Sequence, residues 1–159
     1  MNADKKAEID LPLGPALDFL RGLWQLNHAL EKVSMRIEAT LGVTAQQRLI
    51  LRSVGKYPGM TSGQLAQLLH LDPGTVSTSL GRLERKGLLK RRRDLKDKRR
   101  ITLGLTPAGH ELDKPMAGTV EQAVDQALAQ AEPEEIVHAS RVLARLTLAL
   151  EEQTHNDHG

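Results

Sequence analysis

The 159-residue chain contains no cysteine. That excludes disulfides, a thiolate nucleophile, a cysteine-ligated zinc and a cysteine redox switch. Aromatic side chains are almost missing as well, with one Phe, one Trp and one Tyr. A core short of rings has to be built from Leu, Ala, Val and Ile, and the abundance of Leu and Ala suits helices more than sheets. No run of about 18 apolar residues occurs, so no membrane-spanning helix is expected. The opening MNADKKAEIDLPLGP has no apolar stretch of the kind a secretory signal needs. The expectation is a cytoplasmic chain of about one domain, long enough to bury a real core. Catalytic signatures are lacking too. There is no phosphate-binding loop, no Ser/His/Asp order and no paired-carboxylate pattern, and the six His are scattered. No enzyme activity and no cofactor are expected.

What the chain does have is positive charge gathered in one place. Arg82 to Arg100 holds eleven Lys/Arg against three Asp/Glu, a local charge of +8, although the whole chain carries only +2. The remainder is therefore acidic. A basic run can be a plain solvated face, so its neighbours decide its meaning.

Those neighbours read as helix, turn, helix and hairpin. Thr61 or Ser62 caps a short helix through Leu69, burying Leu65, Leu68 and Leu69. His70-Leu71 forms the turn. Asp72-Pro73 is the clearest helix start, because Asp72 can accept from the orphan amides and Pro73 needs no amide hydrogen at the first position. That helix runs to Lys86, and Gly87 follows as a left-handed C′ residue. Val76, Leu80 and Leu83 share its core side. Gly74, Thr78, Gly81 and Arg85 face away, with Thr75, Ser77 and Arg82 beside them. Small and hydroxyl residues there let the backbone approach a groove closely, and Ser and Thr can bond bases or phosphates. After Gly87, residues 88–92 and 100–105 form two strands, with Ile101, Leu103 and Leu105 alternating. The tip between them, Arg93 to Arg99, is too charged to pack inward. It can reach phosphates or a narrow minor groove. Asp97 is placed to hold the Arg99 guanidinium.

Long helices flank this reader. From Pro15 to Leu41, Phe19, Leu23, Leu26, Leu30, Val33 and Ile37 are spaced 4, 3, 4, 3, 4, a seam for lengthwise packing that Leu17, Leu20 and Trp24 widen. Such a helix calls for a partner chain as well as its own core. Thr44 caps a helix over 45–55 that holds Leu49, Ile50, Leu51 and Val54. Thr106-Pro107 starts a helix to about Ala131, with a kink or break near Leu112 to Met116 at Pro115. Pro133-Glu134-Glu135 starts the last helix, with Ile136, Ser140, Leu143, Leu146 and Leu150 in its stripe. The fold class is mainly α with a small β-hairpin wing. Its parts are a disordered 1–14, an N-terminal dimerisation helix 15–41, a winged helix-turn-helix domain 43–105, C-terminal dimerisation helices 106–152 and a disordered tail 153–159.

Residues 43–109 resemble the MarR family of bacterial transcriptional regulators. The resemblance is carried by LGVTAQQ at 41–47, PGMTSGQLA at 58–66, LDPGTVS at 71–77, RLERKGL at 82–88 and, most specifically, DKRRITLGLTPAG at 97–109. Ala45, Arg48 and Gly81 depart from the family's usual proline, aromatic and bulkier residue. The resemblance implies a homodimer whose outer helices interleave, with two readers about 34 Å apart on a pseudo-palindromic duplex. It implies DNA contacts from Gly74, Thr75, Ser77, Thr78 and Arg82 in the second helix and Thr61, Ser62 and Gln64 at the start of the first. Lys96, Asp97, Lys98 and Arg99 supply the wing. It further implies a repressor released by a small aromatic or anionic ligand. Trp24, Asn27, His28, Arg52 and Tyr57 are candidate liners, and none is assigned as a site. Three other readings stay open: a metal-responsive regulator using His28, His110 and His138, an architectural DNA binder without sequence preference, and a winged helix that binds only protein.

Overall fold

The computed structural model describes residues 11–156. Helix α1 spans Pro15–Leu41, α2 Ala45–Lys56, α3 Ser62–Leu69 and α4 Pro73–Arg85. Strands β1 (Leu89–Arg93) and β2 (Ile101–Leu105) follow, then α5 (Pro107–Asp113), α6 (Val120–Leu128) and α7 (Pro133–Asn156). The chain divides into two compact units, residues 1–114 and 115–159.

The boundaries in the first unit are set by hydrogen-bonding side chains. Thr44 and Gln47 form a capping box at α2, and Thr61 and Gln64 form another at α3. In each, the threonine hydroxyl accepts from the glutamine amide while the glutamine oxygen accepts from the threonine amide, so two orphan donors are satisfied at once. Asp72 accepts from the amides of Gly74 and Thr75 at 2.8 and 3.1 Å, and Pro73 takes the first position of α4. Helix α3 ends in a Schellman turn without glycine. His70 adopts a φ of 49°, and Leu71 donates to Ala66 O at 3.0 Å. Helix α4 ends the same way with Gly87 at φ 68°, where Leu88 donates to Leu83 O at 3.0 Å.

The core lies between α2, α3, α4 and the hairpin. Ile50, Leu51, Leu65, Val76, Leu80, Leu83, Leu89 and Leu103 are buried in it. Leu49 and Leu68, expected inside from their periodicity, are exposed. The core side of α2 is taken by Ile50, Leu51 and Val54, and that of α3 by Leu65 and Ala66. β1 and β2 pair antiparallel with Leu89 opposite Leu105 and Arg93 opposite Ile101. The outer edge of β2 is not left open. Leu103 donates to Met60 O at 2.8 Å, and Gly59 donates to Leu103 O at 3.3 Å. The segment before α3 thus anchors the wing.

Helix α5 approaches this hairpin closely. A Cβ on Gly109 would stand 2.0 Å from Leu88 O. The predicted interruption at Pro115 is a full break, with residues 114–119 between α5 and α6. Proline has no amide to continue the ladder. Carbonyls freed at the end of α5 are taken by arginines from α2. Arg48 is buried and donates to Leu112 O and, at 2.6 Å, to Lys114 O. Arg52 donates to Asp113 O and pairs with the Asp113 carboxylate at 3.2 Å. The departure noted at Arg48 therefore has a structural use.

The inner parts of the two ends expected to be disordered fall within the described residues. Leu13 N donates to Asp18, and Arg21 donates to Leu11 O, so residues 11–14 are tied to the first turns of α1. Helix α7 continues to Asn156, past the expected end at residue 152. The rest of the predicted disorder, 1–10 and 157–159, lies outside the described residues.

The long helices keep their apolar faces open. In α1 only Ile37 is buried, while Phe19, Leu20, Trp24, Leu26 and Leu30 are exposed. In α7, Leu143 and Leu150 of the predicted stripe are exposed.

Gly109→Ala is expected to lower stability by on the order of 2 kcal/mol, since the clash is with backbone and cannot relax by a rotamer change. Chemical denaturation read by circular dichroism checks it against the wild type.

Candidate nucleic-acid interface

Helix α4 has one side available to the core and gives it Val76, Ser79, Leu80 and Leu83. The opposite side is therefore presented outward. Gly74, Thr75, Ser77, Thr78 and Arg82 are all exposed on it, as the sequence predicts. Arg82 and Arg85 stand in the last turn, where they oppose the negative end of the helix dipole. Gly81 is half-buried, and a Cβ there would make only an ordinary 3.6 Å contact with Arg85 Nη1.

At the start of α3, Ser62 and Gln64 are exposed and Thr61 is half-buried. Thr61 and Gln64 have structural work in the capping box. Gln64 Oε1 accepts from Thr61 N at 2.9 Å and also from Arg100 Nη2 at 3.2 Å.

The wing tip is ordered by two carboxylates. Asp94 Oδ1 accepts from the amides of Lys96 and Asp97 at 2.8 and 3.2 Å. These two bonds, with the charge of Arg100, hold the Asp94 carboxyl below its ordinary value, so it is ionised at neutral pH. Asp97 Oδ1 accepts from the backbone amide of Arg99 at 3.0 Å. The predicted contact with the Arg99 guanidinium is thus replaced by one with its main chain. An aspartate accepting from the amide two residues on is a local side chain-to-backbone bond that competes with its pairing to a side chain. Lys96, Lys98 and Arg99 are exposed at this tip.

The structure sorts the basic run, which composition cannot do. Arg91 is paired with Glu84 at 3.2 Å, joining β1 to α4. Lys86 donates to Gly42 O, the cap of α1. The Asp94 turn was legible in the sequence as an acid two and three residues before the amides it binds. The Glu84–Arg91, Lys86–Gly42 and Gln64–Arg100 contacts join distant segments, and no local spacing announces them.

The candidate ligand liners do not form one group. Trp24 and His28 line an open apolar hollow along the start of α1 with Leu13, Leu17 and Leu20. Arg52 and Tyr57 line another of about 500 Å³ with Lys56 and Asp113. Asn27 donates to Glu31 at 3.0 Å. Among the described residues no three His, Cys, Asp or Glu gather where they could share a metal ion, and no helix is long and apolar enough to cross a membrane.

An outward helix of small and basic residues, capped in front and flanked by a charged hairpin, defines a winged helix-turn-helix DNA-binding protein. The profile of the MarR family matches residues 41–100. The HTH-type transcriptional repressor MdtR of Bacillus subtilis is 31% identical over 111 residues, which cover 69% of this chain and 71% of that protein. Among solved structures, S. aureus MepR in complex with DNA aligns with a TM-score of 0.66 at 25% identity, covering 80% of this chain and 94% of that one. PcaV from Streptomyces coelicolor, solved with its natural ligand, aligns with a TM-score of 0.64 at 25% identity, over 91% of this chain and 99% of that one. The chain belongs to the MarR family and is a sequence-specific DNA-binding regulator of transcription, not an enzyme.

Gly81→Ala is expected to raise helix stability by about 1 kcal/mol, since no packing opposes the methyl group. If Gly81 serves close approach, the same variant binds duplex DNA more weakly. Thermal melting and fluorescence anisotropy on one preparation check both halves.

Proposed function

We propose that the chain works in the cytoplasm as a homodimeric repressor that reads a pseudo-palindromic operator and leaves it when a small aromatic or anionic ligand binds. The observation that carries the DNA half is the outward face of α4 beside the Asp94-ordered wing. Thr75, Ser77, Thr78 and Arg82 read base edges, and Gly74 lets the first turn approach. Ser62 meets phosphates beside the Thr61–Gln64 box. Lys96, Lys98 and Arg99 engage the backbone or the minor groove, with Asp97 holding the Arg99 main chain.

The homodimer is supported by the exposed apolar residues of α1 and α7. Leu26, Leu30, Leu143 and Leu150 are each about half exposed, so leaving them in water forgoes roughly 1 kcal/mol for each side chain, a drive to pair. A dimer also supplies the second reader that a two-fold operator needs. Repression is supported by the likeness to MdtR, and a ligand by the likeness to PcaV.

Selection of bound duplexes from a random pool is expected to recover a site with two-fold symmetry. A pool that stays random would favour the architectural reading, and no binding even at low salt would favour a protein-only winged helix. Leu26→Glu together with Leu30→Glu should yield monomers in sedimentation and lose the selected duplex. Arg99→Ala should weaken binding and flatten its salt dependence by about one phosphate contact while the dimer persists.

A further inference from the structure

We propose that Arg100 is a further DNA-backbone contact, positioned by Gln64, which fastens the base of the wing and the start of α3 to one stretch of phosphates. The inference rests on the DNA-binding reading above and adds to it a residue outside the predicted wing set.

Three observations carry it. The first is the neutrality of the partner. Arg91 and Arg52 are each matched by a carboxylate, Glu84 and Asp113. Arg100 lies near enough to the Asp94 carboxylate for their charges to interact, but that carboxylate is engaged by the Lys96 and Asp97 amides. The hydrogen bond that holds Arg100 is to an amide oxygen, Gln64 Oε1, at 3.2 Å. A neutral acceptor fixes a guanidinium without cancelling its charge, and one bond leaves most of the five-donor fork for another ligand. The hollow beside it, about 380 Å³, is lined by Tyr57, Pro58, Gly59, Met60, Gln64 and Leu68 and carries no carboxylate.

The second is preorganisation. The main chain at Arg100 is pinned on both sides, since Arg100 N donates to Asp97 O at 2.9 Å and Asp94 N donates to Arg100 O at 2.9 Å. With the guanidinium also held, little side-chain freedom remains to be lost on binding.

The third is placement. Gln64 Oε1 accepts from Thr61 N and from Arg100 together, so the guanidinium is one shared acceptor away from the first turn of α3. Both lone pairs of that oxygen are in use. A phosphate accepts rather than donates, and at this corner the Arg100 N–H groups that Gln64 leaves over are there to donate to it. The ligand this chemistry selects is a phosphodiester, because a forked cation with free N–H groups matches its two terminal oxygens.

The test is a set of salt titrations on full-length protein with one duplex of about 30 base pairs taken from the selected pool. Arg100→Gln should reduce the slope of log affinity against log salt by about 0.9 and weaken binding roughly tenfold at fixed salt. Arg100→Lys should retain the slope and lose part of the affinity. Gln64→Glu keeps the capping box, so a purely structural role predicts an unchanged or higher melting temperature and full DNA affinity. As a phosphate contact, Arg100 is neutralised by that glutamate, and the slope falls. In the double variant, Gln64→Glu should then cost much less than it does alone, which separates this loss from simple repulsion of DNA by the new charge. An unchanged slope in Arg100→Gln, with Arg99→Ala still flattening it, overturns the inference and leaves the DNA-binding reading standing. Additive losses in the double variant overturn the positioning role of Gln64. Absence of duplex binding by the wild type overturns both readings.

Discussion

Everything in the reader depends on α4 having one side, and only one, that can be buried. Val76, Leu80 and Leu83 have almost no exposure. Their burial fixes the helix against rotation, so Gly74, Thr75, Ser77, Thr78 and Arg82 have nowhere to go but outward. The ends are fixed as firmly. Asp72 closes the front of the helix, and Gly87 turns the chain sharply into β1. Because the turn at Gly87 is a defined left-handed one, the hairpin leaves α4 at a set angle. Met60 then holds the far edge of that hairpin, and Gly109 lets α5 close over its base.

Charge is distributed with comparable economy. The run from Arg82 to Arg100 carries +8, yet its cations do different things. Arg91 and Lys86 hold the reader together, through Glu84 and through the cap of α1. A cation neutralised by a carboxylate, as Arg91 is by Glu84, contributes little to counterion release. The exposed set at the tip is smaller than composition suggests, and two carboxylates are spent there on ordering the loop. Asp94 and Asp97 bind main-chain amides, so the tip's acids shape the wing as well as diluting its charge.

Much of the fold was legible because its signals are local. Caps at Thr44, Thr61, Asp72 and Thr106, the glycine after α4 and the burial of Leu103 and Leu105 in alternation each act over a few residues and appear where they were expected, whereas Ile101, at the start of the same strand, is exposed. Periodicity was less reliable in short helices, where it placed Leu49 and Leu68 inside. The outward face of α4 was also legible, since burial of three residues determines the rest. What stayed hidden were contacts across long separations. Arg48 read as an oddity in the sequence and is a buried donor to the end of α5, more than sixty residues away. The role of Gln64 in joining α3 to Arg100 is hidden for the same reason.

The central claim is that two copies of α4 are held at one turn of the double helix by the apolar faces of the outer helices. Hydroxyl-radical footprinting on a bound duplex measures that geometry directly. Two protected patches on one face of the DNA, their centres about 10 base pairs apart, are the predicted result. A single patch, or even protection along the whole duplex, would contradict it.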